Sequence, residues 1–135
     1  MKRIYSLFVV LVILTSCELI VIGTKKEPVI EINQNTPLGA VYLFKAELDS
    51  SNVPAATQIM ASPNGTELLA YEKYELYDEI SRLERLIGRK PITKVKADSL
   101  SNSNCRVSVE FDYLKTINFN TRKIRDSWYI IGYLE

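Results

Sequence analysis

"LIGRKPITKVKADSL" (residues 86–100) is the stretch where the chain changes its periodicity. Up to Ile87, apolar side chains recur with a helical period: Leu69, Leu76, Ile80, Leu83 and Ile87 share one face. After Pro91 the repeat shortens towards two, the period of a strand. Gly88 is expected to supply a left-handed helix stop, and Pro91 keeps the helix from resuming. One switch in mid-chain predicts helices first and strands after, the order of an α+β fold.

Beyond the switch, "SNSN" (residues 101–104) reads as a turn. Cys105, Val107, Val109, Phe111 and Tyr113 then alternate with Arg106, Ser108, Glu110 and Asp112, so one face of a second strand is apolar. A third strand is expected from Ile117 to about Ile124, and "RDS" turns it. "WYIIGYL" (residues 128–134) is apolar at both parities, which predicts a last strand covered on both faces.

Before the switch, acidic residues Glu67, Glu72, Glu75, Asp78 and Glu79 fill the first half of the long helix, and Arg82, Arg85 and Arg89 follow. That polarity suits the helix dipole, and Asp78 with Arg82 makes a favourable i,i+4 pair. Upstream, Thr36-Pro37 is a helix start, with Leu38, Val41, Phe44 or Lys45, and Leu48 on one face. Asn52 and Pro54 open a short second helix, "PAATQIM". "SPNG" (residues 62–65) is a turn.

Composition narrows the chemistry. The 135 residues hold 17 Lys and Arg, 16 Asp and Glu, and no His. Without histidine, Ser-His-Asp and Cys-His mechanisms are excluded, as are most catalytic zinc sites. The near balance of charge argues against a nucleic-acid partner. With no Gly-rich phosphate loop, calcium-loop spacing or CxxC, no cofactor and no metal site is expected. No pairing of carboxylates suggests an acid/base couple, so no catalytic residue is assigned.

The N-terminus is "MKRIYSLFVVLVILTSC". Lys2 and Arg3 are followed by an apolar run over residues 4–14 and by the small Thr15 and Ser16, the parts of a secretory signal. Leu14-Thr15-Ser16-Cys17 resembles the lipobox of bacterial lipoproteins. The resemblance implies a diacylglycerol on the Cys17 thiol, cleavage before Cys17 and acylation of the new amine. Several acyl chains hold a protein on a membrane firmly. The rival reading is an uncleaved membrane span over residues 4–22, which would place Glu18 in hydrocarbon. The domain plan is therefore a signal peptide (1–16), a lipidated N-terminus and tether (17–35), and an α+β domain (36–135). "VIEI" (residues 29–32) could pair at a sheet edge. Glu18, rather than Asp, after the cysteine points to the outer membrane, facing periplasm or surface.

"TPLGAVYLFKAELDSSNVPAATQIM" and the closing "RKIRDSWYIIGYL" resemble small bacterial lipoproteins of the nuclear transport factor 2-like superfamily. The resemblance covers residues 36–134. It implies a cone, with N-terminal helices packed on a curved antiparallel sheet and a pocket at the open end. Enzymes of that superfamily place Asp or Glu with His or Tyr inside the cone; here Tyr113 is the proton donor left on the apolar face. Phe111, Tyr113 and Trp128 are the candidate pocket residues.

Other residues invite two readings. Tyr71, Tyr74 and Tyr77 form either an aromatic platform or the wet margin of a core. Arg82, Arg85, Arg89, Lys90, Lys94 and Lys96 form a solvated basic face, or a site for anionic headgroups or phosphate. Cys105, the second cysteine, reads as a small buried hydrophobe rather than a redox thiol.

The expectation for function is a lipid-anchored envelope protein acting as a non-catalytic binding or interaction module. Its partners would be the membrane, a small apolar ligand or an envelope protein, or a second copy meeting it through the sheet face. The alternatives are an isomerase- or dehydratase-like enzyme using Tyr and carboxylates, and a structural envelope component.

Overall fold

The computed structural model describes residues 29–135. The leader, Cys17 and most of the tether lie outside the described residues. Helix α1 is Pro37–Asp49, α2 is Val53–Gln58, α3 is Ala70–Glu75 and α4 is Tyr77–Ile87. Strands β1 (Ile92–Ser101), β2 (Asn104–Phe111), β3 (Lys115–Ile124) and β4 (Ser127–Leu134) follow. They form one curved antiparallel sheet in the order β1-β2-β3-β4. The α+β reading holds: helices first, a meander after.

Local chemistry sets both early helices. The Thr36 hydroxyl accepts from the Gly39 amide at 2.9 Å, and Asn52 Oδ1 accepts from the Ala55 amide at 3.3 Å. Each cap satisfies one orphan donor and contributes about 1 kcal/mol. Gly39 is required for a different reason. A Cβ there would meet the carbonyl oxygens of Glu31 and Asn33 at 2.5 Å, so the incoming chain lies directly on α1. The "VIEI" segment forms no strand. The free side of β4 is met instead by Gln34, whose carbonyl accepts from the Trp128 amide at 2.7 Å, and by residues 59–61. Ile59 and Ala61 exchange backbone bonds with Ile130, which ends α2 two residues short of Met60.

Three features of the long third helix differ from expectation. It is broken at Leu76 into α3 and α4. The apolar repeat continues across the break, so periodicity alone could not reveal it. Gly88 is not left-handed: its φ is −55° and its ψ 136°. Arg89 takes the left-handed conformation instead, at φ 59°. Gly88 is needed for space, because a Cβ would lie 2.5 Å from the Glu84 carbonyl oxygen. The Asp78–Arg82 pair does not form; Arg82 reaches Glu135 at 3.4 Å.

The sheet faces follow the pleat. On β2, Cys105, Val107, Val109 and Phe111 are buried; on β3, Ile117, Phe119 and Thr121 are. They meet Val41, Phe44, Leu48, Ile80, Leu83 and Ile87 from the helices. Phe44 packs edge-on against Phe119, with ring centroids 5.9 Å apart. Truncating either ring would cost about 3–5 kcal/mol, the usual penalty for a buried Phe.

β4 is apolar at both parities for another reason than coverage on both faces. Thr121 pairs with Ile130 and Asn120 with Gly132, so Ile131 is an extra residue, a β-bulge. The bulge shifts the phase by one. Trp128 and Ile130 face the helices before it, and Tyr133, opposite Phe119, faces them after it. Tyr129 and Ile131 remain only half-buried.

Candidate functional site

The space between helices and sheet is occupied by side chains. Phe44, Phe111, Ile117 and Phe119 are each at most 1% exposed. Of the three candidate pocket residues, Phe111 and Trp128 lie in this core, Trp128 at 9% exposure. Tyr113 does not join them. β2 ends at Phe111, and Asp112 and Tyr113 both turn left-handed (φ 54° and 58°), leaving Tyr113 81% exposed at a hairpin tip. Alternation carries Tyr113 to the apolar face only if the strand continues, and it stops two residues earlier.

Several open grooves surround the core, one of about 520 Å³ between residues 29–31 and the start of α1 among them. A larger one, about 600 Å³, lies on the helix-free face of the sheet. Arg106 and Asn120 line it, with Leu100, Ile131 and Leu134, and Pro63 forms a wall beyond β4. The sheet builds this groove locally. Leu100 lies at an irregularity between Ser99 and Ser101, Ile131 is the bulge, and Gly132 leaves the floor bare, with nothing within 4 Å of where its Cβ would project. Arg106 Nε donates to Asn120 Oδ1 at 3.3 Å, and Arg122 Nη1 ties the Pro63 carbonyl to β3 at 3.3 Å.

Another groove, about 310 Å³, is lined by Ile32, Tyr42, Lys45, Asp49, Lys90 and Ile92. It holds the feature the sequence concealed. Lys45 is only 5% exposed, bonded to Asp49, with its ammonium 5.8 Å from the Phe111 ring centroid. The same Asp49 oxygen accepts from the Arg89 amide at 2.6 Å. The charge is thus neutralised and hydrogen-bonded, as a buried ammonium requires. The one hint in sequence was Lys45 sharing the apolar face with Phe44.

A Tyr–carboxylate pair does exist. Tyr133 lies beside Glu79, and burial first, then that carboxylate, pushes the phenol well above its ordinary range. Glu79 is exposed and lines none of these grooves. The pair spans β4 and α4, and Tyr133 itself lines the larger groove. Cys105 is 4% exposed, and burial raises its thiol above the ordinary value, with Asp98 adding to the effect. Tyr71 and Tyr74 are 61% and 72% exposed, and the Tyr74 and Tyr77 rings lie 5.2 Å apart.

The chain matches no model of a known protein family, and no curated protein matches it in sequence.

Proposed function

We propose that this chain is a lipid-anchored lipoprotein of the bacterial envelope whose domain is a non-catalytic interaction module. It presents the helix-free face of its sheet to an envelope protein. One observation carries this reading: the helix side of the sheet is filled by Phe44, Phe111 and Phe119, so a partner is met on the outside, where the sheet carries a groove of about 600 Å³. Leucine, isoleucine and proline walls beside one guanidinium and two amides suit a protein surface, apolar at the centre and polar at the rim. The order of helices before a curved meander supports a cone-like fold of the nuclear transport factor 2-like kind. The Leu14-to-Cys17 tetrad supports acylation of Cys17 and an outer-membrane address.

Site-specific photo-cross-linking in the source cells tests the groove. A photoreactive residue at Asn120 or Leu134 is expected to give a discrete adduct that the same residue at exposed Glu75 does not. An adduct with a second copy would identify the partner as this chain. Equal labelling at all three positions, or none, overturns the reading. Mass analysis of the peptide beginning at Cys17 tests the anchor separately, and a bare thiol or intact leader defeats it.

A further inference from the structure

The β2–β3 hairpin ends in an unusual tip. Asp112 and Tyr113, the two central residues of the turn, both have positive φ, where Asn-Gly would be expected. Tyr113 is 81% and Leu114 84% exposed. The turn is nonetheless held tightly. The Asp112 amide donates to the Pro91 carbonyl at 3.0 Å, the Leu114 amide to Phe111 at 3.1 Å, and the Tyr113 amide to Thr93 Oγ1 at 3.3 Å. An amphipathic aromatic and a leucine are therefore presented rigidly, on a protrusion.

Cations flank the residues that hold the tip: Arg89 and Lys90 precede Pro91 and Lys94 follows Thr93, none of them in an ion pair among the described residues, and Lys115 follows the tip directly. The carboxylates at this end are mostly engaged. Asp49 holds Lys45 and the Arg89 amide, Glu84 accepts from Ser51, Glu110 from Thr93, and Glu135 from Lys115 and Arg82. Asp112 is the exposed exception.

We infer that this hairpin tip docks on a bilayer of anionic phospholipid, with Tyr113 and Leu114 entering the interface and the surrounding cations meeting headgroups. Tyr belongs at that depth, apolar body inward and hydroxyl wet. A protrusion fits a deformable surface, whereas a protein partner would need a matching pocket. The inference draws its geometry from the anchor proposed above. Eleven residues lie between Cys17 and Val29, at most about 40 Å of chain, short enough to keep the domain against the surface.

The test uses the full-length protein purified from its membranes and reconstituted in phosphatidylethanolamine/phosphatidylglycerol vesicles. Nitroxide labels go on Leu114→Cys and, at the opposite end of the sheet, on Asn102→Cys; Cys105 is buried. Label 114 is expected to collide more with oxygen than with an aqueous nickel chelate, and label 102 the reverse. Lys90→Glu with Lys94→Glu, or vesicles of phosphatidylcholine alone, should return label 114 to water. A label at 114 as wet as the one at 102 overturns the inference, as does shielding that appears only when an envelope protein is added. The mass of the Cys17 peptide is read on the same sample. Acylated Cys17 with a wet tip defeats the tip alone; a bare thiol with an immersed tip defeats the anchor alone.

Discussion

Asp49 serves two donors with one oxygen, the buried ammonium of Lys45 and the amide of left-handed Arg89. The two partners are unequal in burial: the Lys45 side chain is 7% exposed and that of Asp49 40%. Removing the carboxylate strands a cation in the core, whereas removing the cation leaves a half-wet carboxylate that still binds an amide. Asp49→Ala is therefore expected to destabilise by about 3 kcal/mol or more, and Lys45→Met by under about 1.5 kcal/mol. Urea unfolding of both variants measures this, and equal losses would refute the asymmetry. Tyr113 was legible as aromatic and at the right parity, but not as exposed. Its place depends on where β2 stops, and the stop depends on bonds to Pro91 and Thr93, residues far away in sequence.

β4 shows what an element can hide. Its alternation was readable, yet the bulge at Ile131 was not, because an extra residue in a strand leaves the same letters and changes only the pairing. Deleting Ile131 removes the surplus residue, so Gly132 should stay opposite Asn120 and Tyr133 opposite Phe119 in a regular strand. The Phe119–Tyr133 contact is expected to survive, and the urea midpoint to fall about as little as for Ile131→Val, which should cost only about 0.5–1.5 kcal/mol. A much larger loss on deletion would show that the bulge itself, and not the pairing on either side of it, holds Tyr133 in place. The α3–α4 break at Leu76 escaped for a similar reason: it interrupts the helix without interrupting the apolar face.

For the whole molecule, stability should fall at both extremes of pH through one corner, where β4 meets α4 and β3. Tyr133 holds its proton above the ordinary phenol value near 10. Below that value both folded and unfolded chains are protonated there, and its contribution is complete. As pH rises further the unfolded chain ionises first, so stability drops. Glu135 works in the opposite sense. The bond from Lys115 above all, and Arg82, hold its carboxyl below the usual range, so its contribution is present at neutral pH and lost as acid protonates it. Tyr133→Phe should flatten the alkaline limb of urea midpoint against pH and leave the acid limb unchanged. A variant whose alkaline limb matches wild type would show that burial of Tyr133 beside Glu79 does not set the alkaline loss of stability. The candidate site was the least legible part at this scale: the outer groove gathers residues from four strands and a distant turn, none of them distinctive alone.

The amino-acid order by itself determined the two helix caps, the switch of period after Pro91, the buried face of β2 and the meander, because each rests on neighbours a few residues apart. Tertiary structure decided the rest: the left-handed turn at Arg89 rather than Gly88, the buried ammonium of Lys45, the bulge in β4 and the exposed tip at Tyr113. Those depend on which distant backbone or carboxylate arrives to meet a group, and local periodicity contains no record of what it will meet.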